Sequence, residues 1–214
     1  MMNDKCYSIH KWSGARPEID GKVFDPAQEP FCALEYARVD SYVWDPDGYC
    51  PEARAYVART DEGLLVLMCA REEKTYAVET RIGGDVYRDS CLEFFLMGRP
   101  SCNEDYINFE VNVNGVPHIG LGAGRPNRRV LKEIPAGMRI SHSVHAGQWW
   151  AVCYNIPDAF IREMLGGELE ETVRANFYKC DESIHPHFGS WNPVRSAEPD
   201  FHRPESFGLL KLEV

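Results

Sequence analysis

Apolar and polar residues alternate with a period of two along much of the chain, and residues 106–115 (YINFEVNVNG) show the pattern most clearly. Ile107, Phe109, Val111 and Val113 fall on one face of an extended segment, and Tyr106, Asn108, Glu110 and Asn112 on the other, because side chains along a strand point alternately to its two sides. Two amides, a carboxylate and a phenol are an unusual outer face for a half-buried strand. They make a floor for a polar ligand, or else a solvated face closed by the Asn114-Gly115 turn signal.

Similar patterning predicts strands near 7–12 and over 30–43, 53–59, 64–70, 89–96, 116–121, 139–145, 148–156, 172–180 and 207–214. LLVLMCA (64–70) is apolar on both faces, which marks a central strand. Turn-forming residues separate the strands at 44–48, 60–63, 100–104 and 146–147. Residues 72–84 are polar and read as a loop with room for a short helical turn. Residues 185–204, dense in aromatics and prolines, read as a long loop. Helical spacing occurs convincingly in 157–165 alone, with Phe160, Ile161, Met164 and Leu165 as the apolar stripe, Asn155 or Asp158 as the cap and Gly166-Gly167 as the stop. Many short strands with one helix predict an all-β fold: one domain over 1–214, an antiparallel β-sandwich with jelly-roll-like, immunoglobulin-like layers and a short helix near 157–165.

A chain of 214 residues can bury roughly 70% of its unfolded surface without staples. Its 23 basic and 33 acidic residues give a net charge of −10 with no basic stripe, which argues against nucleic acid and against an anionic membrane surface. No apolar window reaches the length of a membrane-spanning helix. The first residues lack the apolar core of a secretory signal, so the expected location is the cytoplasm, or outside the cell if a leader has been removed. Of the eight cysteines, Cys69, Cys91, Cys153 and Cys180 lie in apolar strand runs, where the thiol acts as a small hydrophobe. With no C-x-x-C or zinc-finger spacing, all eight are read as reduced.

Three predicted strands carry polar faces: Glu93 on the first, Asn108, Glu110 and Asn112 on the second, and Arg174, Asn176 and Tyr178 on the third. Side by side in one sheet they suit a polyhydroxylated ligand, since each hydroxyl both donates and accepts. Alternatively, Arg174 pairs with Glu93 or Glu110 in a structural network. Trp191 (FGSWNP) and Trp44 (VWDPDG) are flanked by turn residues. An indole on a loop either tucks over the core or walls a site; Trp191 is read as a wall, and for Trp44 both readings stand. Arg125, beside the glycine-rich loop, can reach a ligand. Gly120 to Gly124 lacks the spacing of a nucleotide loop and reads as a flexible hairpin loop. His185, His187 and His202 make a poor metal set, because a proline separates the first two and no carboxylate stands at ligand spacing. No cofactor is required; calcium is possible on Asp45, Asp47, Asp85 and Asp89, and haem on Met68 or Met97 is disfavoured.

The succession DSCLEFFL, YINFEVNVNG, RANFYKCDE, HFGSWNP and PDFHRPESFGLLKLEV, with LLVLMCA ahead of it, resembles the bacterial family 9 carbohydrate-binding modules and the wider DOMON-like group. The resemblance implies a β-sandwich that grips the terminal unit of a saccharide between two aromatic walls, often with calcium. Carried over, Trp191 and Trp44 are the walls, and Asn108, Glu110, Asn112, Arg174 and Asn176 read hydroxyls. The implied function is non-catalytic binding of a mono- or oligosaccharide. Two alternatives differ in kind. One is a structural sandwich without ligand. The other is a glycoside hydrolase using Glu93 and Glu110, opposed by Arg174 on the same face, which would hold both carboxylates ionised.

Overall fold

The computed structural model describes residues 4–44 and 47–213. Its strands in chain order are β1 (Cys6–Lys11), β2 (Ala37–Val39), β3 (Glu52–Thr60), β4 (Gly63–Arg71), β5 (Cys91–Met97), β6 (Tyr106–Asn112), β7 (Pro117–Gly122), β8 (Arg129–Val130), β9 (Ile140–Ser143), β10 (Trp150–Pro157), β11 (Thr172–Asp181), β12 (His187–Ser190) and β13 (Gly208–Leu212). The helix α1 spans Asp158–Leu165 and ends on Gly166 in the left-handed conformation, the usual helix stop. Among the described residues no helix is long and apolar enough to cross a membrane.

The predicted hairpins form as the alternation requires. The turn between β3 and β4 needs Gly63, whose φ is +150° and whose added Cβ would lie 2.0 Å from the Ile156 carbonyl oxygen. Two predictions are corrected. The run 30–43 is strand only at Ala37–Val39, since Phe31–Ala33 turns as a 3-10 helix. The supposed long loop 185–204 contains β12, which pairs with the second half of β11.

The strands form two layers. The first runs β8-β7-β6-β5-β11-β13-β1, and the second runs from β1 through β3, β4 and β10 to β9. All ladders are antiparallel except those of β1, which lies parallel to β13 through Cys6–Ile9 and then to β3 through His10 and Lys11. One short strand thus joins both layers of the sandwich. Between the layers, Leu92, Phe94 and Leu96 of β5 and Ile107, Phe109 and Val111 of β6 meet Val66 and Met68 of β4 and Val152, Tyr154 and Ile156 of β10. Phe94 stacks on Phe177 at 5.0 Å, and Phe109 reaches across to Tyr154 at 6.0 Å. Each such ring contributes roughly 1.5–3 kcal/mol by leaving water. The buried stripe of α1 caps this core.

Both outer faces are covered as well. The N-terminal segment lays Ile19 and Phe24 over Leu65, Leu67 and Trp149 of the second layer. On the first layer, Phe201 and Phe207 cover Phe95, Tyr106 and Tyr178. That cover is incomplete.

Candidate functional site

Strand register brings the outward side chains of the first layer into rungs. One rung reads Tyr178, Glu93, Glu110, His118 across β11, β5, β6 and β7. The next reads Asn176, Phe95, Asn108, Gly120. Glu93 and Glu110 are therefore direct cross-strand neighbours, with Cβ atoms roughly 4.5–5.5 Å apart. Only 2% of Glu93 and 4% of Glu110 is exposed. Burial pushes Glu93 well above the usual carboxylate range, with Cys180 and Glu110 adding to the push. Burial also raises Glu110, while His118 and the Asn108 hydrogen bond draw it back. Two like charges this close resist joint ionisation, so the pair titrates as a unit.

Above this rung lies a cavity of about 350 Å³. Its floor is Glu93, Phe95, Glu110 and His118, and the loop residues Arg125, Asp200, Phe201 and His202 also line it. Tyr87, Phe188 and Phe201 bring aromatic rings to it. Its polar groups are only partly satisfied by one another. Asn108 Nδ2 donates to Glu110 Oε1 at 2.6 Å, which leaves Glu110 Oε2 buried with no partner. His118 Nδ1 lies 2.9 Å from the Gly84 carbonyl; a carbonyl only accepts, so Nδ1 carries a proton and Nε2 is the ring nitrogen left to meet a ligand. The His202 ring is pushed down to about 3 by burial, with Arg128 and Arg125 adding to it, and so is neutral. Its Nδ1 sits 2.7 Å from the Tyr106 hydroxyl.

Arg128 shapes one side. Its Nε and Nη2 donate to Asn108 Oδ1, its Nη1 to the carbonyls of Gly122 and Gly124, and its Nη2 also to Tyr106 and Gly120. The guanidinium also stacks 4.3 Å above the Tyr106 ring. The glycine-rich loop, expected to be flexible, is held by this side chain and by the ion pair of Arg125 with Asp200 at 2.9 Å.

Of the residues proposed from sequence, Glu93, Glu110 and Arg125 line the cavity. Asn108 stands just behind, positioning Glu110 and Arg128. The others do different work. Trp191 is 4% exposed and packs edge-on to Phe177 at 5.6 Å, inside the core. The reason is β12: Ser190 pairs with Tyr178 on the outer face, so the next side chain points inward. Trp44 is half-buried behind Phe201, 6.0 Å between rings, with its Nε1 donating to the Ser196 carbonyl. Asn112 accepts from the N–H groups of Asn114 and Val116 and donates to Asp89, closing the β6–β7 turn. Asn176 binds backbone of Asn192 and Ser206. Arg174 pairs with neither glutamate; it donates to the Phe207 carbonyl and lies 3.6 Å from Asp4. The expectation that Arg174 keeps both glutamates ionised is overturned. Tyr178 supports Phe201 from below.

Sequence reasoning missed the rest. His118 was legible, because the Asn114-Gly115 turn sets it opposite Glu110. Phe188 was legible only if 187–190 had been read as a strand. Phe201 and His202 lie in irregular backbone with no period to read. Of the acidic residues proposed for calcium, Asp89 accepts from the backbone N–H groups of Val78 and Glu79, and Asp85 faces Arg88 at 3.9 Å. Asp45 lies outside the described residues.

Comparison with known proteins agrees with this architecture. The sequence model of carbohydrate-binding family 9 matches residues 26–212. The structure resembles that of a candidate carbohydrate-binding protein from Bacteroides uniformis, with a TM-score of 0.80 and 28% identity over 99% of this chain and 100% of that one. A family 9 module from Caldicellulosiruptor kristjanssonii has the same fold, solved with cellotriose (TM-score 0.64, 13% identity, 98% of this chain and 94% of that one) and with glucose (0.63, 14%, 98% and 96%). No curated protein matches the chain.

Proposed function

The chain belongs to carbohydrate-binding family 9, and we propose that it binds, without turning it over, one terminal unit of a saccharide in the cavity above the Glu93–Glu110 rung. The observation that carries this placement is Glu110 Oε2, buried and without a partner on a residue that lines the cavity. A buried acceptor without a donor costs about 1–3 kcal/mol, and a sugar hydroxyl entering the cavity supplies the donor. His118 Nε2 offers a further polar contact, as does Arg125, whose Nε and Nη2 donate to Asp200 Oδ1 while Nη1 remains for a ligand. The rings of Phe201, Phe188 and Tyr87 take the place assigned to indoles from sequence, covering the C–H faces of a pyranose.

Hydrolysis is not part of this reading. In a glycosidase the two carboxyls flank the scissile bond, whereas Glu93 and Glu110 stand side by side on one floor. Affinity should fall in the micromolar to millimolar range, about −4 to −8 kcal/mol, since hydroxyls exchange water for protein partners at small net gain.

Glucose and cellotriose, present in structures of the related module, head the panel for calorimetric and NMR titration, followed by other mono- and oligosaccharides. Binding that weakens in Glu110→Gln and in Phe201→Ala supports the site. No response across the panel from folded protein, or unchanged binding by both variants, rejects it.

A further inference from the structure

At one end of the cavity floor, register sets Cys91 directly opposite Cys180, two residues along from Glu93. We infer that Cys91, Cys180 and Glu93 form a site for a zinc-class divalent cation, with two thiolates and one carboxylate as ligands and a fourth position open to the cavity. The inference stands whether or not a saccharide binds.

The two Sγ atoms and a Glu93 oxygen all lie within 4.8 Å of one another. A tetrahedral ion with S and O ligands at about 2.0–2.3 Å spaces them roughly 3.5–3.8 Å apart, so side-chain shifts of about an ångström close the site. Among the described residues this is the only such trio of metal-capable side chains. All three are buried, yet Glu93 and Cys180 line the cavity, which gives an ion its route in. The Cys180 thiol donates to Glu93 Oε1 at 3.0 Å, so a proton now holds together the groups a cation would bridge. Two thiols favour zinc or cadmium over calcium and magnesium, which take oxygen ligands. On binding, each thiol releases its proton to solvent and no redox partner is needed.

The full chain, reduced and metal-free, is titrated with Co²⁺. One equivalent should produce thiolate-to-cobalt absorption in the near ultraviolet and intense visible bands of four-coordinate cobalt, displaced by Zn²⁺. The bands should vanish in Cys91→Ser and Cys180→Ser and persist when the exposed Cys6, Cys32, Cys50 and Cys102 are all changed to Ser. If the buried variants fail to fold, Glu93→Gln serves instead, with Co²⁺ binding weakened roughly tenfold or more. Absent bands, bands unchanged in Cys91→Ser and Cys180→Ser, bands lost with the four exposed thiols, or a Cys91–Cys180 disulfide in peptide maps would each overturn the inference.

Discussion

The ring of Tyr178 lies flat against the ring of Phe201, with centroids 4.1 Å apart and planes 13° from parallel, and its hydroxyl donates to the Phe201 carbonyl at 3.1 Å. A strand residue thereby fixes both the side chain and the backbone of a loop residue that lines the cavity. Trp44 packs against the same phenylalanine. Tyr178→Phe keeps the stack and deletes the anchor, so stability should fall by about 1 kcal/mol and saccharide affinity by a few-fold. Urea denaturation and calorimetry measure the two effects; no change in either means that stacking alone holds Phe201.

Glu110→Gln should separate stability from binding. The amide keeps an oxygen for Asn108 and removes a buried carboxylate whose second oxygen has no partner. Because a buried carboxyl oxygen without a partner disfavours the folded state, stability should hold steady or rise by about 1 kcal/mol, while affinity drops. A variant that is both less stable and fully competent to bind would show that Glu110 serves the fold.

The fold was legible because period two survives in nearly every strand and α1 alone shows helical spacing. The site was legible only where that periodicity reaches. Glu93 and Glu110 could be placed on one face, and register then made them neighbours. Trp191 was misread because its flanking Gly, Pro and Asn suggest a loop, whereas HFGS is a strand that turns the following indole inward. Arg174 and Asn176 have the right parity but the wrong height on β11, where the chain near Phe207 and Asn192 already takes their hydrogen bonds.

Trp191→Ala therefore tests the core rather than the site. The indole touches Phe177 and fills the space over Gly208, where an added Cβ would come within 2.6 Å of it. Its removal should cost about 3–5 kcal/mol, read from the denaturation midpoint. A fully stable Trp191→Ala that has lost saccharide binding would restore the indole to the site.

His187 and His202 should make the protein sensitive to acid. Burial holds both imidazoles down to about 3, against 6.5 for the free side chain. Unfolded chains therefore take up protons that the native state refuses, so stability is complete above about pH 6.5 and declines as pH falls from there towards 3. His202→Phe should flatten that decline relative to wild type in denaturation series between pH 7.5 and 4. Parallel profiles would mean that His202 is protonated in place.

Arg128 gives the sharpest test of how the cavity keeps its shape. Its planar fork satisfies Asn108 and the carbonyls of Tyr106, Gly120, Gly122 and Gly124 at once. Gly120 leaves the room for this, since an added Cβ would sit 2.6 Å from Asn108 Oδ1 and 3.3 Å from Arg128 Nε. Lysine offers three donors on a flexible stem and cannot stack on Tyr106 in the same way. Arg128→Lys should lose about 2–3 kcal/mol, as charged hydrogen bonds are broken and buried carbonyls left bare. The loss should be local: amides between 122 and 128 should exchange with deuterium much faster, while those of β5 and β6 keep their protection. If the loop exchanges as slowly as before, its shape comes from its own glycines and prolines, and Arg128 is a passenger.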